Sequence, residues 1–495
     1  MTSTQQPTPP SSAAEAETPR PPRAAIVTLC AGGLSASLTQ TMVIPVQARF
    51  PELLSTSAAN ATWVITITFL AAAVSMPITG RLADMLGKQR VLVGCAVSLL
   101  IGSVLCALGD SLLPVLVGRG LQGVSMGFIP VGIALLREIV PPRYASTSIA
   151  AMSATLGVGG AIGLPLAAWI VQEGSWHALF WVSAGVAAAM LTALLTFVPH
   201  VHDASPGRFD LPGAVGLATG LTLVLVALSK GGEWGWGSAA TLGSLAVGVV
   251  VLLAWGVFEM RVDQPLVALR SMARLPVLLT NLAAVVVGLG LMAQALVVPR
   301  LLQLPDTLDY GLGQSMLQAG LWMAPGGLMM LAMSPVASRI LDGVGPRVAL
   351  AVGSGVLGTG YVLGFFLAGS PATLLLATLV MSAGVGIGYA AMPALVMGNV
   401  PPTEAGSAVS VNTLLRLVGG SLASAVMASV LTGSTRPLGD AAVPTEGAFL
   451  ACFAIGAVAA FLGMVVALLI PRATPAPTPA PAPVAGQATS SRSPR

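Results

Sequence analysis

Residues 80–90 read Gly80-Arg81-Leu82-Ala83-Asp84-Met85-Leu86-Gly87-Lys88-Gln89-Arg90. This charged segment lies between apolar runs at about 61–79 and 91–109, each long enough for a spanning helix, which needs ~20 apolar residues. A relative of it recurs further along as "PVASRILDGVGPR" from Pro335. Pro77, Arg81, Asp84 and Gly87 return as Pro335, Arg339, Asp342 and Gly345, 258 residues on. "VPPRYAS" from Val140 and "VPPTEAG" from Val400 form a second pair, displaced by 260, as are Gly159-Gly160 and Gly419-Gly420. One coincidence between Gly/Pro-rich loops is cheap. Correlated matches across equivalent stretches argue for a duplicated six-helix unit, an arrangement that membrane transporters use to hold substrate between two halves.

Composition supports a membrane reading. Of 495 residues, 55% are hydrophobic and 8% charged, against about 25% charged in soluble domains. So large an apolar excess must face lipid. The 57 glycines suit helices that approach closely in a bilayer. A net charge of +4, spread thinly, excludes a nucleic-acid surface. Cys30, Cys95, Cys106 and Cys452 lie in apolar runs without paired spacing, and His177, His200 and His202 flank such runs. Neither metal nor cofactor is expected. The Pro-, Ser- and Ala-rich ends, 1–23 and 471–495, read as disordered tails. The first apolar run, about 23 residues long, is too long for a cleavable signal core.

Fourteen apolar runs are found, at roughly 24–46, 61–79, 91–109, 112–136, 147–171, 178–198, 211–229, 238–258, 276–299, 314–336, 346–368, 371–397, 404–432 and 446–470. With the N-terminus in the cytoplasm, 16 of the 22 basic residues fall inside and four outside. That bias fits the positive-inside rule and puts both termini in the cytoplasm. Arg119 and Arg416 fall within helices, and no Asp or Glu is expected deep in any helix. The repeat offset pairs runs 1–6 with 9–14 and leaves runs 7 and 8 over. The expected division is an N-terminal six-helix bundle at 24–200, two inserted helices with linkers at 201–275, and a C-terminal six-helix bundle at 276–470.

The spacing of Gly80, Asp84, Gly87 and the basic Lys88 and Arg90 resembles motif A of the major facilitator superfamily, in the loop where that family has it. Read bare, these are solvated, topology-setting charges. The resemblance implies a conformational latch formed by Gly80, Arg81, Asp84, Gly87, Lys88 and Arg90. Asp84 would face the N-terminus of another helix, and Arg81 and Arg90 would pair with it. A carboxylate at a helix N-terminus contributes about 0.3–1 kcal/mol, and about 2 when partly buried.

"GRGLQG", residues 118–123, resembles motif B. Arg119 and Gln122 share one helix face, which either meets a polar interior or lets Arg119 snorkel to the outer interface. "LGVGGAIGLPLAAWI" from Leu156 resembles the antiporter signature, motif C. Pro165 comes one residue late, and Ala167-Ala168 replace glycines. Gly159, Gly163 and Ala167 form a small-residue stripe that also reads as plain helix packing. "RFDLPGAVGL" from Arg208, "GGEWGWGS" from Gly231 and "QPLVAL" from Gln264 resemble the fourteen-helix drug:proton antiporter branch, so the likeness covers about 24–470. That branch usually has an acid in its first helix, where this chain reads Leu38-Thr39-Gln40-Thr41.

The expected fold is an all-α polytopic membrane protein of two six-helix bundles plus two inserted helices. Candidate cavity residues are Thr39, Gln40, Arg119, Gln122, Asn281, Gln294, Tyr389, Asn412 and Arg416. Arg416 stands near mid-bilayer. Its acceptors would be backbone carbonyls, Gln122 or water, or else carboxylate, phenolate or carbonyl oxygens of a substrate. The resemblance implies proton-coupled efflux of drugs or small organic metabolites by a monomeric transporter in the plasma membrane, with the bilayer, a small organic substrate and protons as its partners. Uptake or facilitated diffusion, and a transport-inactive receptor, are the alternatives. No phosphate-binding G-x-x-x-x-G-K-[ST] loop occurs, and no nucleophile–base pair suggests an enzyme.

Overall fold

The computed structural model describes residues 22–199, 207–438 and 441–471. The expected tails lie almost wholly outside these. Fourteen helices among the described residues are long and apolar enough to cross a membrane. In the first half they are α1 (Arg23–Thr41), α2 (Trp63–Leu86), α3 (Lys88–Leu108), α4 (Leu112–Ile139), α5 (Pro142–Glu173) and α6 (His177–Phe197). An inserted pair follows, α7 (Leu211–Trp234) and α8 (Ala239–Glu259). The second half holds α9 (Leu275–Leu302), α10 (Met316–Val344), α11 (Pro346–Phe366), α12 (Pro371–Gly398), α13 (Ala405–Gly433) and α14 (Glu446–Leu469).

The quoted segment is not a loop. Helix α2 runs on to Leu86, α3 starts at Lys88, and Gly87 alone joins them with φ +97°. Residues 81–86 are mostly good helix formers, so nothing stops the helix before a glycine that can turn left-handed. Gly345, φ +89°, does the same between α10 and α11. Helices generally outrun the apolar runs and take Arg81, Arg137, Lys230 and Arg300 inside their ends. The same extension takes carboxylates into helix ends, and two of these are buried. Asp84 is 3% exposed within α2 and Glu259 1% exposed at the end of α8. Both carboxylates accept hydrogen bonds from backbone N–H groups.

Packing follows the repeat. α1 lies on α5, α2 on α4 and α3 on α6; α9 lies on α13, α10 on α12 and α11 on α14. The halves meet through α2 against α13 and through α5 against α10, which are the same contact with the halves exchanged. The inserted helices form an antiparallel hairpin held by small residues. Gly216 faces Trp255, Gly220 faces Leu252 and Gly248 faces Leu223 and Val224. α7 leans on α2 and α13, while only 11% of the apolar window of α8 is buried. α8 therefore offers most of its surface to lipid. One element departs from the all-helical expectation, a hairpin of Thr435–Leu438 with Ala441–Pro444 between α13 and α14.

Candidate functional site: the junction of the halves and two buried arginines

At one end of the molecule α2 closes on α13. Asp84 Oδ1 accepts from Gly406 N at 3.0 Å, and Oδ2 accepts from Ser407 N at 2.9 Å. Both donors lie in the first turn of α13, where backbone N–H groups lack partners within the helix and the helix dipole favours negative charge. Gly80, one turn earlier, packs on Ser410 and the Gly406 carbonyl, so the helices touch without an intervening side chain. Gly406 is held equally tightly, since a Cβ there would meet Asp84 Oδ1 at 2.5 Å.

The basic residues depart from expectation. Neither Arg81 nor Arg90 forms an ion pair with Asp84. Arg81 Nε is buried without a partner, and its Nη2 reaches toward Gly207 in the segment that leads to α7. Arg90 is exposed and bonds the Leu86 carbonyl of the preceding turn. Lys88 pairs with Glu138 of α4. Backbone N–H groups of α13, not Arg81 or Arg90, supply the hydrogen bonds to Asp84.

The counterpart contact between α10 and α5 is weaker in kind. Asp342 is exposed and accepts from the Ser146 hydroxyl at 2.6 Å. Ser338, standing where Gly80 stands in the first half, meets Thr147 at 2.8 Å. A third junction was not legible as one. Arg137 Nη1 of α4 donates to the Met397 carbonyl of α12 at 2.6 Å.

Within the first half, Arg119 is 2% exposed and spends its guanidinium on protein. Nε donates to Val64 O at 3.2 Å; Nη1 donates to Thr39 O at 3.4 Å and to Gln122 Oε1 at 2.7 Å. Gln122 Nε2 continues to Ser103 Oγ at 2.9 Å. The arginine thus ties α1, α2 and α4 together and does not snorkel. The Thr39 hydroxyl is used within its own helix, on Ser35 O, and Gln40 Nε2 is buried without a partner.

In the second half, Arg416 is 6% exposed. Its Nη2 donates to Thr413 Oγ1 at 3.0 Å, its Cζ lies 4.2 Å from the centre of the Tyr389 ring, and its Nε is buried without a partner. One turn away, Asn412 donates to Asn281 Oδ1 at 3.0 Å and leaves its own Oδ1 unpartnered. Gln294 bonds Ser382 Oγ at 3.1 Å and Thr378 O at 3.4 Å, which joins α9 to α12 away from this cluster. The candidate residues therefore gather in two groups. Thr39, Arg119 and Gln122 form one; Asn281, Tyr389, Asn412 and Arg416 form the other.

The helix-5 stripe packs on α1. Thr41 Oγ1 donates to the Gly159 carbonyl at 3.1 Å, Gly163 lies against Thr41 and Leu38, and Ala167 is fully buried. Pro165 turns instead toward Gly320 of α10. Among the described residues no cluster of three or more side chains could hold a metal.

A family model described as Major Facilitator Superfamily matches residues 29–424. The uncharacterized MFS-type transporter Rv1877 of Mycobacterium tuberculosis is 29% identical over 83% of this chain, which spans 60% of that relative's length. The tetracenomycin C resistance and export protein of Streptomyces glaucescens is 27% identical over 81% of this chain and 74% of its own. The multidrug transporter protein MdtP of Bacillus subtilis is 23% identical over 77% of this chain and 71% of its own. Among solved structures, the human organic anion transporter MFSD10 superposes with a TM-score of 0.64 at 18% identity, over 91% of this chain and all of its own. The proton:xylose symporter XylE superposes at 0.59 with 14% identity, over 91% of this chain and 96% of its own.

Proposed function

The chain belongs to the Major Facilitator Superfamily, a family of membrane transporters, and from that premise we propose that it exports drugs or small organic metabolites across the plasma membrane, driven by protons. The observation that carries this reading is Asp84 seated on the N-terminus of α13, a releasable contact between the halves. Transport would proceed by rocking of bundles 24–200 and 276–470 about a site between them, with 201–275 as a peripheral insertion. The named functions of the tetracenomycin and multidrug relatives favour efflux. In this reading both termini are cytoplasmic, as the basic-residue bias requires, and the Asp84 contact closes the cytoplasmic side. Thr39, Gln40, Arg119, Gln122, Asn281, Gln294, Tyr389, Asn412 and Arg416 are the proposed cavity residues. Of the helix-5 stripe, Gly159, Gly163 and Ala167 set how closely α5 approaches α1, and Pro165 faces α10.

Everted and right-side-out vesicles test the reading. Accumulation of a tetracenomycin-type aromatic polyketide in everted vesicles alone, abolished by a protonophore, is the expected result. Accumulation in right-side-out vesicles alone would show uptake and overturn it. Reporter fusions after Arg270 should report cytoplasm, and fusions after Gly237, in the α7–α8 turn, the opposite side.

A further inference from the structure

The insertion carries a site that the transport reading does not use. Asp210 precedes α7 and Glu259 ends α8, so the antiparallel hairpin brings the two carboxyls together. Asp210 is 8% exposed and Glu259 1%. Each has one oxygen satisfied by backbone. Gly213 N donates to Asp210 Oδ1 at 2.9 Å, and Val267 N donates to Glu259 Oε1 at 2.6 Å. The remaining oxygens, Asp210 Oδ2 and Glu259 Oε2, are buried and have no donor. They converge on one point: a Cβ on Gly213 would lie 2.1 Å from the first and 2.7 Å from the second.

Two acceptor oxygens so placed need a donor between them. Among the described residues the ion pairs are Lys88–Glu138, His177–Asp110 and Lys230–Glu233, so no cation supplies it. The charged groups at this end point elsewhere. Arg208, Arg261, Asp263 and Arg270 are exposed, and Arg270 bonds the Met260 carbonyl. On the packed neighbours α2 and α13, Arg81 lies against Gly207, Asp84 is held by α13, and Arg416 sits under Tyr389. Two ionised carboxylates in contact repel, whereas a carboxyl and a carboxylate attract through one shared proton.

We propose that Asp210 and Glu259 form a proton-binding site in which one proton, held between Asp210 Oδ2 and Glu259 Oε2, closes the α7–α8 hairpin. Gly207, three residues before Asp210, lies against Arg81 and Gln264, so the proton sits one short segment from the Asp84 contact.

Infrared spectroscopy of the purified full chain in lipid tests the site. At about pH 6 exposed carboxyls, with pKa near 4, are ionised. Difference spectra of wild type minus Glu259→Gln, and of wild type minus Asp210→Asn, should each show one protonated-carboxyl band that shifts in heavy water. Each amide can donate to the surviving carboxylate, so both variants keep the bridge. A flat difference spectrum in that region for both variants would overturn the proposal. So would a wild type stabilised by added sodium or calcium ions and lacking the band, since a metal ion would then be the bridge. Should neither variant fold, wild type alone decides. A folded state that holds a proton the unfolded chain releases loses stability as pH rises. A thermal midpoint that rises from pH 6 to about pH 8 would count against the shared proton.

Discussion

Arg137 donates to the carbonyl of Met397 at 2.6 Å, and Met397 is its own counterpart in the repeat, 260 residues on. A residue that touches its own equivalent stands beside the axis relating the two halves. The bond links α4 to α12 and must break if the halves part at this end. A hydrogen bond from a charged group is worth about 1.5–3 kcal/mol, and about 1.4 kcal/mol is tenfold in an equilibrium. In a cysteine-free background, Ser410→Cys, buried against Gly80, should react with a thiol reagent about tenfold faster once Arg137→Ala is added. Unchanged labelling would show that this bond does not bias opening.

Asp84→Asn should reduce transport about tenfold or more at normal expression. An asparagine offers one acceptor oxygen to two N–H donors and turns an NH2 toward the second, which leaves a buried donor unsatisfied at about 1–3 kcal/mol. Asp342→Asn should cost less than about threefold, because Asp342 is exposed and bonds a hydroxyl, and surface contacts contribute little. Vesicle transport normalised to immunoblotted protein reads both. Equal losses would refute the asymmetry between the two junctions.

Gly406→Ala should mimic Asp84→Asn. The added methyl would stand 2.5 Å from Asp84 Oδ1 and displace the carboxylate from the first turn of α13. The double variant should then be little worse than either single one, since both remove one interaction. Strictly additive losses in the same transport assay would separate the two residues.

The two buried arginines should behave differently. Arg119 places its Nε and Nη1 on Val64 O, Thr39 O and Gln122 Oε1, so Arg119→Ala should lower the thermal midpoint and depress transport of every substrate alike. Arg416 keeps an unpartnered Nε beside Tyr389 and Thr413. Arg416→Ala should reduce efflux of an anionic aromatic compound about tenfold and leave ethidium efflux within about twofold, if a substrate oxygen supplies the missing acceptor. Equal effects on both compounds in the vesicle assay would exclude charge selection by Arg416.

The sequence alone determined the fourteen spans, the duplication and the insertion, because each is a one-dimensional signal. Lipid demands long apolar runs wherever a chain crosses it, and a duplicated unit repeats its turn residues at a fixed offset. Asp84 stands out in the sequence only through the resemblance of Gly80, Asp84 and Gly87 to motif A; read bare, that spacing gives solvated charge. Tertiary structure decided which partner each polar group found. It gave Asp84 backbone donors 322 and 323 residues away, and sent Arg81 toward Gly207. It satisfied Arg119 with carbonyls of two other helices, and set Asp210 against Glu259 across a hairpin. Backbone N–H and C=O groups are the same at every position, so sequence cannot say which of them a buried side chain will meet; only the packing of the helices brings one of them within hydrogen-bond reach.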